Sequence, residues 1–303
     1  MATIDAIARR LETAEDLRSI VRTMKALAAA SIRQYEEAVA SLDAYARTVE
    51  SGLQALLHDR PDMVPRPSAR RTPERVGAVV VGSDHGLCGA FNEHVTRFHA
   101  EHRTDVQTRV GGRLVALGVR AAGRLDEMGY SPEKVVALPA SVAGIATLVN
   151  DVLEHVATWR ENDEVDAVAI YFNQPRGSTG YQPQSVRLLP IDESDLRRLG
   201  AAPWRPRALP MVAGDWHKVF AAIVRQHLFV TLHRAVTLSL ASEHASRLAA
   251  MHAAERNIDE RLQALRSHYH RERQASITTE LIDIVSGYEA LTVPASVRPD
   301  VRV

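Results

Sequence analysis

Apolar side chains recur at every seventh position near the start of the chain: Ile7, Ala14, Val21, Ala28, Tyr35, Leu42, Val49 and Leu56. A seven-residue spacing held this long predicts a helix from about Thr3 to His58 with a coiled-coil seam along one side. Ile4, Leu11, Leu17, Ile20, Met24 and Leu27 are expected to thicken that stripe. Thr3 is placed to cap the helix, and Asp5 lies in the first turn, where the dipole favours a carboxylate. Arg9, Arg10, Glu12, Glu15, Asp16, Arg18 and Arg22 fall largely off the stripe, as a solvated face or a surface for a partner. A second long helix is expected from Asp215, a capping residue after Gly214, to about Leu291. Leu228, Leu232, Ala235 and Leu238 begin its apolar face, and Ile258, Leu262, Leu265 and Tyr269 continue it. An eight-residue jump to Ile277, Leu281, Ile284 and Tyr288 then reads as a stutter.

Proline and glycine separate these tracts from the middle. Gly52 is the lone glycine before Pro61, and neither residue occurs from Asp215 to Ser286. Between them the pattern alternates. Val76–Val81, Leu114–Leu117, Lys134–Leu138, Val165–Phe172 and Val186–Leu189 read as strands. Ala90–Glu101, Arg120–Met128 and Val142–Arg160 read as helices, the last capped by Ser141. The expected fold is α/β plus long helices: an antiparallel coiled coil of the N- and C-terminal helices with an inserted small, Rossmann-like α/β domain. Its segments are 1–58, the first long helix; 75–210, the α/β domain with a mostly parallel sheet; 215–291, the second long helix; and 292–303, a flexible tail holding Pro294 and Pro299. At 1.5 Å per residue the second helix spans ~100 Å and the first ~80 Å. A compact domain of this length has a radius of gyration of only ~19 Å. Two helices cover one side of each other, so apolar residues on other faces imply a further partner.

The 303 residues are 46% hydrophobic and 24% charged, which excludes wholesale disorder. Lys+Arg and Asp+Glu are 37 each, so the basic excess of a nucleic-acid binder is missing. Only Lys25, Lys134 and Lys218 among the cations are lysines. One cysteine, Cys88, allows no internal disulfide and no cysteine zinc cluster. The first residues lack the apolar core of a secretory signal. Gly82, Gly86 and Gly89 follow the first strand, but their spacing is not G-x-G-x-x-G and no Lys-Ser/Thr follows, so the expected role of Gly86 and Gly89 is a structural turn rather than a phosphate cradle. Cys88 with His85 is a thin case for a nucleophile and base, and a small buried cysteine is the commoner state. The 13 histidines form no H-E-x-x-H, and Asp84 and the clusters Glu12/Glu15/Asp16 and Asp192/Glu193/Asp195 lack partners that define an active site. No catalytic, metal or cofactor site is expected. A mechanical or scaffold protein, an α/β enzyme with helical arms, and a coiled-coil adaptor with a binding head remain open on this reading.

Several blocks of residues narrow the choice. Ile20-Val-Arg-Thr-Met-Lys-Ala-Leu-Ala-Ala-Ala30 resembles the pattern I-T-x-A-M-x-M-V-A-A-x. Ser83-Asp-His-Gly-Leu-Cys-Gly-Ala-Phe-Asn92 resembles S-D-R-G-L-C-G-G-F-N. Ser239-Leu-Ala-Ser-Glu-His-Ala-Ser-Arg247, Arg273-Gln-Ala-Ser-Ile-Thr-Thr-Glu-Leu-Ile-Asp-Ile-Val-Ser-Gly287 and Arg187-Leu-Leu-Pro190 match further blocks of the same family. Over about 1–291 the chain resembles the gamma subunit of F-type ATP synthases, the rotor shaft.

The resemblance implies a coiled coil inside a ring of three alpha and three beta subunits, with the α/β domain resting on the membrane c-ring beside the epsilon subunit. It implies that ion flow turns the shaft, that ATP chemistry happens on the beta subunits, and that the protein is peripheral on the cytoplasmic face of a bacterial membrane. By matching position, Met24 and Lys25 are expected at a lower collar facing a beta-subunit lever. Arg273, Gln274, Thr278 and Glu280 are expected to meet the alpha/beta sleeve. This chain departs from the family where Glu12, Glu15 and Asp16 interrupt a basic stretch, where His85 replaces an arginine, and where Trp204-Arg-Pro-Arg-Ala-Leu-Pro210 stands for an aromatic-acidic strand. Thr292–Val303 extends past the family's usual end.

Overall fold

The computed structural model describes residues 2–63, 75–102, 113–177, 180–204 and 211–292. The expected tail, apart from the backbone of Thr292, lies outside them, as do residues 205–210 and the side chain of Thr3. Along the chain come α1 (Ala2–Asp59), β1 (Val76–Val81), α2 (Phe91–His102), β2 (Leu114–Leu117), α3 (Val119–Glu127), β3 (Lys134–Val136), α4 (Ile145–Glu161), β4 (Ala167–Arg176), β5 (Gly180–Leu189), α5 (Glu193–Ala201) and α6 (Trp216–Thr292). The chain divides into two compact units, Ala26–Ala250 and Met1–Lys25 with Met251–Val303.

In the unit Ala26–Ala250 the sheet runs β3-β2-β1-β4-β5. β1 is central and parallel to β2 and β4, with Val79 beside Val115 and Ile170. β5 closes the sheet antiparallel to β4. Alternation along β1 feeds two cores, because successive side chains point to opposite faces. Val79 and Val81 join Val115, Leu117 and Ile170 against α4 (Val149, Val152, Trp159) and α6 (Leu232, Val236, Leu240). Ala78 and Val80 face α2 and α3, where Val95 and Leu125 are fully buried.

The strands differ from expectation where the sequence turns polar. β4 and β5 form a hairpin longer than expected, pairing Asn173–Arg176 with Gly180–Pro183. Pro183 is tolerated because β5 is an edge strand. β3 stops at Val136. Ser141 makes no side-chain cap; a single 3-10 turn, Val142–Gly144, precedes α4 instead. α5 was not anticipated: the Asp192 carboxylate accepts the Ser194 N–H at 2.8 Å, so that acidic cluster is a helix start. Asp215 caps α6 in the same way, accepting the His217 N–H at 2.9 Å.

α1 and α6 are antiparallel within each unit. In the larger one Arg234 bridges Asp43 at 2.7 Å, and Trp216 donates to the Leu56 carbonyl. In the smaller one Arg266 meets Glu15, Arg18 meets Asp259, and Arg22 and Lys25 share Glu255. In both, partners further along α1 come from earlier on α6. α6 passes through Gly287, expected as a weak point, without a break.

Candidate functional site

Open α/β sheets take ligands beyond the carboxyl ends of their strands, where the strand order reverses. Here that place lies past β1, between β2 and β4, and α6 fills it. The Ser239 hydroxyl donates to the carbonyl of Val81, the last residue of β1, at 3.4 Å. The Ser246 hydroxyl donates to the Cys88 carbonyl at 2.6 Å. Between them the Glu243 carboxylate, almost fully buried, pairs with Arg247. Burial pushes the Glu243 carboxyl up against the opposing pull of Arg247. From α1, Tyr35 stacks on His244 with centroids 5.4 Å apart. Burial and the Arg247 charge lower His244 to about 4, so the ring is neutral near pH 7.

The Ser83–Gly89 turn is itself tied down. Asn92 accepts the Ser83 N–H at 2.9 Å. The Asp84 carboxylate accepts the Val119 N–H at 2.9 Å and the Leu138 N–H at 2.7 Å, joining the ends of three parallel strands. Gly82 is required by close approach: a Cβ there would lie 2.3 Å from the Ala121 Cβ. Gly89 is required by its positive φ of 61°. Gly86, expected beside it as a turn glycine, has room for a Cβ, with the Arg120 guanidinium 3.9 Å away. Cys88 is buried, burial pushes its thiol up, and its sulfur faces the His85 carbonyl at 3.7 Å rather than the imidazole. Among the described residues no group of His, Cys, Asp and Glu is placed to hold a metal ion.

The positions carried over from the family lie on the other unit. Met24 is half-buried. The Lys25 ammonium is bound within the chain, 2.6 Å from Glu255, which also takes Arg22 at 3.0 Å. Those two cations hold the Glu255 carboxyl down to about 2. Arg273, Gln274, Thr278 and Glu280 are all exposed. The Thr278 hydroxyl turns back to the Gln274 carbonyl at 2.9 Å, and Glu280 accepts from Ser276 at 3.5 Å.

The expected stripe needs correcting at three places. Leu17, Ile20 and Leu27 do not line the seam; they are exposed, Ile20 at 53%. Ile277, Leu281, Ile284 and Tyr288 also stand exposed, Ile284 at 68%, so the expected stutter leads to an apolar surface that the described residues leave open. No described helix is long and apolar enough to cross a membrane.

The sequence comparisons agree with one another. A family model described as ATP synthase matches residues 3–291. The ATP synthase gamma chain of Anaeromyxobacter dehalogenans is 31% identical over 304 residues, covering 96% of this chain and all of that one. That of Desulfitobacterium hafniense is 28% identical with the same coverage. Among solved structures, a chain of the Euglena gracilis mitochondrial ATP synthase (OSCP/F1/c-ring) shares the fold at TM-score 0.68 and 18% identity, covering 100% of this chain and 99% of that one.

Proposed function

The chain belongs to the ATP synthase gamma-chain family, and we propose that it is a non-catalytic shaft carrying torque between the ion-driven and nucleotide-processing parts of the enzyme. As a central-stalk subunit it couples ion flow through the membrane sector to ATP synthesis or hydrolysis. On this reading the nucleotide chemistry belongs to three beta subunits alternating with three alpha subunits. The α/β domain, 75–210, is the foot that meets the c-ring and the epsilon subunit. The helices 1–58 and 215–291 are the shaft, and 292–303 is a mobile tail. The complex sits on the cytoplasmic face of the membrane, which this chain touches only through the c-ring.

The observation that carries the reading is the exposed apolar surface Ile277–Tyr288 near the end of a helix, which no other described residue covers. Burying such a surface in a surrounding sleeve is favourable and non-directional, which suits a part that must turn against its housing. The filled crevice past β1 supports the non-catalytic part. Arg273, Gln274, Thr278 and Glu280 then supply polar contacts to the sleeve. Met24 faces the collar, and Lys25 can reach a partner there only by exchanging Glu255. Purification in mild detergent through a tag on this chain tests the assembly: alpha and beta subunits are expected in threefold excess over it. Recovery of the chain without them, from cells making all the subunits, refutes the reading.

A further inference from the structure

We propose that the contact between the Ser83–Gly89 turn and the Ser239–Arg247 stretch of α6 is the torsional joint through which the α/β domain drives the paired helices. The inference deepens the rotor reading and rests on it.

Torque delivered to the α/β domain must enter the helices through groups that resist rotation about the helix axis. A helix lying with one face on a sheet can roll; a helix enclosed on every side cannot. α6 is enclosed in this way around Ala235–Glu243, where every residue but Leu238 is buried, including the polar Thr237, Ser239, Ser242 and Glu243. Elsewhere in the described part of α6 one face is open to solvent.

The bonds at this place also have the right anchors. Ser239 and Ser246 donate to the backbone carbonyls of Val81 and Cys88, which have less freedom to move than side-chain ends. Both carbonyls belong to the end of the central strand and the turn that follows it. That turn is fixed to its neighbours by Asp84 and Asn92, so a load on the sheet reaches it without slack. Glu243, buried, pairs with half-buried Arg247 one turn on and so ties together the turns on either side of Ser246. Tyr35 on His244 brings α1 into the same grip, so both helices turn together.

The test uses the assembled complex with a rod attached to the exposed end of α2 through Glu101→Cys. With the alpha/beta ring locked by a non-hydrolysable nucleotide, the angular spread of the rod reports torsional stiffness. The joint variant is Ser239→Ala with Ser246→Ala. The control is Leu125→Ala, which loosens the opposite core of the same domain. Removing two of the few bonds at the joint is expected to widen the angular variance roughly twofold. Ions pumped per ATP should fall while ATP hydrolysis stays within roughly twofold, since local interactions at the joint do not touch the nucleotide sites. Ser246→Thr, which keeps the hydroxyl, should restore the stiffness. An unchanged variance in the joint variant, or an equal widening in Leu125→Ala, overturns the joint. If the double variant does not assemble, Ser246→Ala alone, lacking a single hydroxyl, is the variant read. A wild-type rod that never turns on ATP addition refutes the rotor reading instead, so the two failures are distinct.

Discussion

Replacing Leu262 by alanine tests how the shaft is held together. Leu262 is 2% exposed although the pair of helices around it is only two helices thick. Truncating a buried leucine removes transfer free energy and leaves a cavity, at about 2–5 kcal/mol. Solvent lies close on both flanks of a two-helix seam, so the site can partly collapse, and the lower end, about 2–3 kcal/mol, applies. At about 2–4 °C per kcal/mol this lowers the melting midpoint by about 5–10 °C. The matched control is Ile20→Ala. Ile20 is apolar and of similar size, but more than half exposed. Its loss is expected within about 0.5 kcal/mol, because exposed substitutions away from packed features change little. Circular dichroism melting of the isolated chain at a helical wavelength reads both. Equal effects from the two substitutions, or a larger one from Ile20→Ala, would refute the assignment of seam and surface.

Three further outcomes follow from particular contacts. Gly82→Ala should cost at least about 1–3 kcal/mol, as overpacking does, because its Cβ meets Ala121 and Asn92 at 2.3 and 2.5 Å; an unchanged melting midpoint contradicts that packing. Glu255, held down to about 2 by Lys25 and Arg22, stabilises the helix pair above its unfolded value near 4.5, and that contribution is lost as the pH falls from there towards about 2. Wild type should therefore lose stability over that window more steeply than Glu255→Gln, most visibly at low salt, and parallel pH profiles would dismiss the ion cluster. Cys88, buried with its thiol pushed up, should react with a maleimide far more slowly than an exposed thiol in the native chain and normally in denaturant; equal rates would place it at the surface.

The sequence was most legible where one periodicity acted alone. β1 and β2 have the bounds their apolar runs indicate, and all eight positions of the seven-residue series on α1 are buried or half-buried. The second line of the seam was followed only through Ile4 and Leu11, for a physical reason. It lies four residues on, at Ile4, Leu11, Arg18, Lys25, Ile32, Val39, Ala46 and Leu53, and all of these are buried or half-buried. Arg18 and Lys25 disguise it, since charges in a seam are tolerated only when paired, and their partners Asp259 and Glu255 lie far off in the sequence. The apolar Leu17, Ile20 and Leu27 therefore looked like better members than the two cations. α5 was hidden because an acidic cluster reads equally as chemistry or as a helix start. The joint at Ser239–Arg247 could not be read either, because its hydroxyls bond backbone carbonyls, which leave no pattern in the side chains. The filled crevice past β1 likewise needed three dimensions: the glycines alone could not show what occupies it.

If this chain is a shaft, its rotation can be watched in single complexes. With the alpha/beta ring fixed to a surface and the rod attached at Glu101→Cys, ATP should drive rotation in one direction, pausing at each third of a turn. A rod that stays still, or only wavers about one angle, while the same complexes hydrolyse ATP would contradict the account.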